Sequence, residues 1–376
     1  MEVILELGFS LHRYVFTPHF YILQITMSSN SSVEEMRKIQ LTGGSTFIVS
    51  LPKEWVEQMG LEKGSLVSIV KGDDLSLRLR PKAVEKGERQ RRAIIGVSRE
   101  DEPNSVVRRV VSAYLVGYNI IQVMDPENRI DTAQRLAIKD FTRRKLVGTE
   151  ILSDLPNELT LQVLLSYAEL SVKDALRRMG IIAASMHREA LLAVGVDDST
   201  LAREVIAMDD EVDRFSLYII RLLKVAVSDS LVLRESGLRS PRECLGYRLI
   251  TKSVERMADH AVNIATNSLA LTMSEMNEEV MGELGMLSEA ALGVFEASVE
   301  ALFDDDYSAA DGALARAEGL RGLEAGAVQK VIKHSPQGDV AALRLIIESI
   351  LRTAEYGADI AEIVMNMTIG GEIREG

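Results

Sequence analysis

The sequence of 376 residues has few cysteines, prolines and aromatic residues. The single cysteine, Cys244, excludes an internal disulfide and a cysteine-based zinc site, and it fits a reducing cytoplasm. Only eight prolines and 5% aromatic residues accompany 47% apolar residues, a composition that favours helix over strand. We therefore expect a mainly α protein, divided by its length into two or three domains.

Long apolar runs are also missing. No segment reaches the roughly 20 uninterrupted apolar residues that a membrane span needs, so we expect no membrane insertion and a cytoplasmic location. The N-terminal stretch is broken by His12, Arg13, Pro18 and His19, which excludes a typical signal peptide. With the Ser/Asn-rich run at 28–32, it predicts a disordered leader over residues 1–35.

Charge is distributed unevenly along the chain. Residues 36–100 carry thirteen Lys and Arg and eight Asp and Glu, a net charge of +5, whereas the whole chain carries −13. A basic N-terminal module is thus joined to an acidic body. The basic module is suited to binding nucleic acid, and the acidic body is better suited to binding cations. Ordinary solvated faces of opposite sign would give the same charge pattern.

Residues 36–82 read as short strands and turns around a short helix that Pro52 and Lys53 begin and Gly60 ends. Because fewer than fifty residues with so thin a core should struggle to fold alone, we expect a dimer. A charged linker at 83–92 leads into a β-α-β-α-β-β pattern over 93–165. That pattern lacks a phosphate-cradling glycine motif, and a spacer or dimerising role fits it better than ligand sensing.

From residue 166 the sequence predicts helices only. Their periodic apolar positions form two consecutive three-helix units, at 166–272 and 273–369. The six predicted helices cover residues 168–193, 198–227, 241–271, 277–302, 307–333 and 338–367.

Both third helices carry a glutamate and an aspartate four residues apart: Glu255 with Asp259, and Glu355 with Asp359. This spacing places both carboxylates on one helix face, about one turn apart. The second helix of the first unit adds Asp209, Asp210 and Asp213.

If these helices pack antiparallel, four to five carboxylates converge, and at neutral pH they need cations or raised pKa values. An all-oxygen ligand set suits iron, magnesium, manganese or calcium, whereas an ordinary solvated acidic face is the alternative.

The second unit offers a weaker set. Glu355, Asp359 and Glu362 are present, but its middle helix has Glu318 and Glu324 in place of the aspartates, and Arg321 falls opposite Asp213. We therefore expect a strong first metal site and a weak or empty second one.

Two parts of the sequence resemble known families. Gly43-Gly44-Ser45-Thr46, Leu51-Pro52-Lys53-Glu54-Trp55 and Gly60-Leu61-Glu62-Lys63-Gly64 resemble the AbrB/SpoVT (MazE-like) swapped-hairpin family. This resemblance implies a homodimer of interleaved hairpins that presents Arg37, Lys38 and Lys53 to DNA, or a module that only dimerises.

Residues 209–213 and 255–265 resemble the two motifs of the PhoU family. That resemblance implies two three-helix repeats, metal clusters on the Glu/Asp-x-x-x-Asp motifs and a role in regulating phosphate uptake. The whole arrangement, a swapped-hairpin domain ahead of PhoU repeats, resembles that of archaeal phosphate uptake regulators.

Three functions are compatible with these patterns. The first is a transcriptional regulator of phosphate homeostasis that binds DNA and carries metal. The second is an adaptor without DNA binding that contacts a phosphate transporter ATPase or a sensor. The third, a di-iron enzyme, is disfavoured because none of the five histidines follows a glutamate at the Glu-x-x-His spacing. We expect no enzymatic activity, and we interpret His260 as a structural residue or as one that supports the metal ligands from behind.

Overall fold

The computed structural model of the chain describes residues 34–71, 76–81, 91–125, 127, 129–165, 169–195, 199–272, 276–320 and 322–373. It divides into two compact units, Met1–Gly87 and Glu88–Gly376. The predicted leader lies outside the described residues except for Glu34 and Glu35. The predicted linker lies outside them except for Arg91 and Arg92.

The N-terminal unit contains two antiparallel hairpins and one short helix. Gly43 and Gly44 turn the first hairpin with φ of 62° and 83°, values that glycine adopts without steric cost. The turn predicted at 71–74, between the last two strands, lies outside the described residues except for Lys71. The elements are β1 (Gln40–Thr42), β2 (Thr46–Ile48), α1 (Lys53–Gln58), β3 (Val67–Lys71) and β4 (Leu77–Pro81).

This unit has no internal core among its described residues. Between Glu34 and Leu79, no side chain whose burial is described is buried. Several large apolar side chains are more than half exposed, including Ile39, Phe47, Leu66, Ile69 and Leu77.

The second unit begins with a small α/β domain. Its four-stranded sheet has the order β5-β6-β8-β7, in which only β5 and β6 are parallel. Asp131 caps α3, because its carboxylate accepts from the Ala133 and Gln134 amides. The elements are β5 (Arg92–Gly96), α2 (Pro103–Leu115), β6 (Ile120–Met124), α3 (Thr132–Lys145), β7 (Thr149–Leu155) and β8 (Glu158–Val163).

Long helices form the rest of the second unit. The periodic apolar positions of the second predicted helix form a seam toward the core, because Val205, Val212, Ile219 and Leu222 are fully buried. The helices are α4 (Val172–Gly195), α5 (Ser199–Ala226), α6 (Ser230–Glu235), α7 (Glu243–Ser268), α8 (Glu278–Asp304), α9 (Tyr307–Leu320), α10 (Glu324–His334) and α11 (Val340–Thr368).

Two features of the bundle correct the sequence prediction. The short helix α6, capped by Asp229, was not predicted. The helix predicted over 307–333 is wrong as one element, because α9 ends at Leu320 and α10 begins at Glu324. Gly319, near the end of α9, and Gly322, within the interruption, lower the local helix propensity. The mainly α fold class, with β hairpins and an α/β domain before the bundle, is confirmed.

Within the described residues, every helix is too short or too polar to cross a membrane.

Candidate functional site

The packing of α5 against α7 brings the predicted carboxylates of the first repeat together. The small residues of α7 face the core, since Val254, Ala258, Ala261 and Ala265 are fully buried and allow close helix approach. At the edge of this stripe, Asp259 of α7 interacts electrostatically with Asp209 and Asp213 of α5. Glu255, one turn before Asp259 on α7, interacts with Asp259 in the same way. We call these four residues the carboxylate cluster.

The environment perturbs the acidity of two members of the cluster. Partial burial raises the pKa of Asp209, and repulsion from Asp213 adds to the increase. Asp259 lies at the accessible rim, where partial desolvation and then repulsion from Glu255 and Asp209 raise its pKa to about 6. Keeping these carboxylates ionised therefore costs free energy.

Basic side chains offset part of that charge. Lys145, the last residue of α3, binds Asp210 and lies 2.7 Å from Asp213 Oδ2. Arg144 donates from Nε to Asp210 Oδ2 at 2.8 Å. Lys252 binds Glu255 one turn away on α7. Although partial burial acts in the opposite direction, Lys145 and Arg144 lower the pKa of Asp210.

One oxygen of the cluster remains without compensation. Asp209 Oδ1 is buried and has no hydrogen-bond partner among the described residues, which is costly for a carboxylate oxygen. A pocket of about 250 Å³ is lined by Asp213 and Glu255, but also by the cationic side chains of Arg248 and Lys252, and Asp209 does not line it. The carboxylate donor set and the orphan oxygen fit a hard cation.

The side chains as placed do not form a complete ligand shell. Across the described part of the chain, no three Asp, Glu, His or Cys side chains are grouped closely enough to hold one metal ion. In the first repeat, Asp210, Asp213 and Glu255 instead point to ammonium and guanidinium groups. The ligand assignment for Asp209, Asp210, Asp213, Glu255 and Asp259 therefore stays a prediction.

The second repeat arranges its acidic residues differently. Glu355 pairs with Arg352 at 2.6 Å, and Asp359 interacts with Glu362, Glu355 and, favourably, with Arg256 of α7. Partial burial is the main cause of the raised pKa of Asp359. The predicted partner Glu318 is exposed near the end of α9, Glu324 lies on the separate helix α10, and Arg321 lies outside the described residues.

His260 contacts the second repeat. Its Nε2 lies 3.4 Å from the Tyr356 hydroxyl of α11, and burial lowers its pKa. This contact agrees with a structural role between α7 and α11.

The predicted DNA-contacting residues are accessible. Lys53, at the start of α1, is 88% exposed and forms only a loose ion pair with Glu57 at 3.5 Å. Lys38 is exposed, and Arg37 pairs with Glu35, two residues earlier in the chain.

Comparison with known proteins decides the nature of two segments. Residues 176–268 match the family model described as PhoU domain, which includes the carboxylate cluster. The chain carries a PhoU domain. Residues 40–87 match the model described as antidote-toxin recognition MazE, bacterial antitoxin, so a domain of the MazE/AbrB type precedes the PhoU domain. Both are regulatory domains without enzymatic activity, and PhoU family proteins often bind metals.

Two solved structures are similar to about half of the chain. The phosphate transport system regulatory protein PhoU from Streptococcus pneumoniae has 19% identity and a TM-score of 0.45, over 54% of this chain and 96% of that chain. PhoU from Pseudomonas aeruginosa has 18% identity and a TM-score of 0.46, over 53% of this chain and 96% of that chain. No curated protein matches the sequence.

Sequence reasoning missed the cations that face the PhoU-domain carboxylates. Lys145 and Arg144 belong to a region to which the sequence assigned no chemistry. Their only local signal is the basic run Arg143–Lys145 at the end of α3. Such a run also suits the helix dipole, so it does not by itself point to a partner.

Proposed function

We propose that this chain is a dimeric regulator of phosphate uptake that binds DNA through residues 36–82 and binds metal through the carboxylate cluster of its PhoU domain. The single observation that carries the proposal is the union of a MazE-type domain and a PhoU domain in one chain. A regulator of this kind needs a DNA-reading part and a signal-receiving part, and these two domains are candidates for those roles.

Dimerisation is supported by the absence of a core among the described residues of the N-terminal unit. Phe47 is 72% exposed and Ile39 71% exposed, on short hairpins that cannot bury them internally. A two-stranded hairpin alone is marginally stable in water. A second copy that interleaves its hairpins would cover these side chains and provide the core.

DNA binding is supported by charge and accessibility. Arg37, Lys38 and Lys53 are exposed basic residues in the positively charged part of an acidic chain. Contacts of this type with phosphates give an affinity that falls steeply with salt, whereas sequence preference needs base contacts.

Metal binding is supported by the cost of leaving the cluster empty. Asp209 has a buried oxygen without a partner among the described residues, and its pKa is raised. A hard cation would bind Asp209, Asp213, Glu255 and Asp259, with Asp210 as a further ligand, and would supply the positive charge that these carboxylates lack. Glu318, Glu355, Asp359 and Glu362 would form at most a weaker second site.

The proposed mechanism couples the two parts. Occupancy of the metal site, or a partner bound to the bundle, would change the spacing of the paired DNA-binding domains. Such coupling requires that the ligand bind two arrangements of the dimer with unequal affinity.

A DNA-binding experiment tests this proposal. Fragments recovered by genome-wide mapping under phosphate limitation would be titrated with the full chain at several salt concentrations, with Mn²⁺ or with EDTA. We expect salt-sensitive binding that changes with Mn²⁺. In Lys53→Gln the salt slope should fall by roughly 1 for each phosphate that the lysine no longer neutralises. The matched control is Lys63→Gln, which removes a nearby charge outside the predicted contact set.

Two results would argue against the proposal. Absence of DNA retention at low salt would leave the adaptor function, in which the bundle contacts a phosphate transporter or sensor. Identical DNA affinity with Mn²⁺ and EDTA would remove the metal-dependent switch while leaving DNA binding intact.

A further inference from the structure

The α/β domain reaches the carboxylate cluster with the end of one helix. Helix α3 finishes with Arg143, Arg144 and Lys145, and the last two side chains contact α5. A basic helix end in contact with solvent alone would satisfy the helix dipole equally well. These contacts to carboxylates of another domain therefore need a different explanation.

Lys145 occupies oxygens that a metal ion would need. Its ammonium binds Asp210 Oδ1 and lies 2.7 Å from Asp213 Oδ2, while Arg144 binds Asp210 Oδ2. The Lys145 side chain is only 14% exposed, so its charge is largely withdrawn from water and committed to these two aspartates.

The rest of the domain holds α3 in this position. Arg221 of α5 is fully buried and donates to the Tyr118 carbonyl at 3.0 Å and to the Tyr114 carbonyl. Leu217 of α5 packs against the apolar core of the α/β domain. The position of Lys145 is therefore set by the packing of the α/β domain on α5.

We propose that Lys145 is a tethered counter-ion of the metal site, which docks α3 on α5 when metal is absent and is displaced when a divalent cation binds. The inference rests on the proposed function, because it concerns regulation of that same site. An ammonium and a divalent ion on the same carboxylates repel each other at short range.

The consequence is reciprocal. Lys145 weakens the binding of the metal by a certain free energy. Because linkage between two binding events is symmetric, bound metal weakens the docking of α3 by the same amount. The α/β domain thereby acquires a specific role, since it converts metal occupancy of the PhoU domain into release of the end of α3.

Binding of Mn²⁺ to the full chain, followed by the EPR signal of the free ion, tests the proposal. In Lys145→Met we expect affinity for Mn²⁺ to rise about tenfold, within the usual range of coupling between sites. Lys145→Arg keeps the charge and should bind Mn²⁺ as the wild type does. The matched control is Lys139→Met, which removes a charge from the same helix that pairs with Asp154 at 2.6 Å.

The outcomes separate this inference from the proposed function. If wild type and Lys145→Met both bind Mn²⁺ with equal affinity, the tethered counter-ion is refuted and the metal site stands. If neither binds Mn²⁺, the metal site itself is refuted together with its regulation.

A second measurement needs no variant and so does not depend on mutant folding. Hydrogen exchange of the amides at 141–146 in the wild-type chain should become at least several-fold faster with saturating Mn²⁺. Unchanged exchange at saturation would overturn the proposal.

Discussion

The two repeats of the bundle share the five-residue Glu-x-x-x-Asp signature, but the residues around that signature differ between them. In the first repeat, α5 is continuous from Ser199 to Ala226 and brings Asp209 and Asp213 to the acidic face of α7. In the second, the corresponding stretch is broken between Leu320 and Glu324, and Asp359 interacts with residues of its own helix and with Arg256. A shared motif on one helix does not make a site unless the neighbouring helix completes it.

The signatures also differ in packing. The central residue is Met257 in the first repeat and Gly357 in the second. A Cβ on Gly357 would lie 2.8 Å from the backbone nitrogen of Phe295, so α11 and α8 touch backbone to backbone. The signature of α11 therefore lies where two helices pack closely, whereas the signature of α7 lies opposite the carboxylates of α5.

A substitution at Gly357 tests this difference in packing and should change stability more than the other substitutions below. Gly357→Ala should lower the free energy of unfolding by about 2–3 kcal/mol, because the backbone of α8 cannot move aside cheaply. Gly293→Ala is the matched control: a Cβ there meets nothing within 4 Å, so it should raise the free energy of unfolding by about 0.5–1 kcal/mol. Urea denaturation measures both, and equal effects would contradict the close approach.

The next prediction concerns the junction of the repeats. His187 of α4 is fully buried, with Nε2 2.9 Å from the Ser288 hydroxyl and Nδ1 3.2 Å from the Thr353 hydroxyl. Burial lowers its pKa to about 4. Because the folded pKa lies below the unfolded value of 6.5, His187 contributes stability above pH 6.5 that is lost as the pH falls toward 4.

Wild-type unfolding free energy should therefore fall by about 2 kcal/mol more than that of His187→Gln between pH 7 and pH 5. Titrating carboxylates are common to both proteins and cancel in this difference. Parallel pH profiles from urea denaturation would remove His187 as the pH-sensitive link between the repeats.

Neutralising one aspartate in each repeat compares the two acidic faces, and we expect only small changes in stability. Without metal, Asp209→Asn should raise the free energy of unfolding by roughly 0.5 kcal/mol, since it removes like-charge repulsion around a buried oxygen. Asp359→Asn should gain less, because Arg256 already offsets Asp359. Mn²⁺ should then stabilise the wild type and not Asp209→Asn in thermal denaturation. A destabilised Asp209→Asn without metal would count against a site held open for a cation.

Periodicity predicted most of the fold. The seam of α5 and the small-residue stripe of α7 depend on local spacing, which the sequence carries directly. The break near Gly319 and Gly322 was missed because apolar positions continue in helical register on both sides. Helix α6 was missed because six residues are too short for a periodic signal.

The acidic half of the candidate site could be predicted, and the basic half could not. Asp209 and Asp213 are four residues apart on α5, as Glu255 and Asp259 are on α7, and this spacing places each pair on one face of its helix. Lys145 lies more than sixty positions away from Asp210, and only the docking of the α/β domain brings them together. No local pattern encodes that contact.

The most direct test of the central claim is the metal content of the full chain by elemental analysis. Wild type, Asp259→Ala and Asp359→Ala would each be saturated with Mn²⁺, freed of excess metal and compared at equal helix content. The first-repeat site predicts that Asp259→Ala loses most of the bound Mn²⁺ and that Asp359→Ala keeps most of it. An unchanged count in Asp259→Ala, or an equal loss in both variants, would contradict the claim that the first repeat holds the metal.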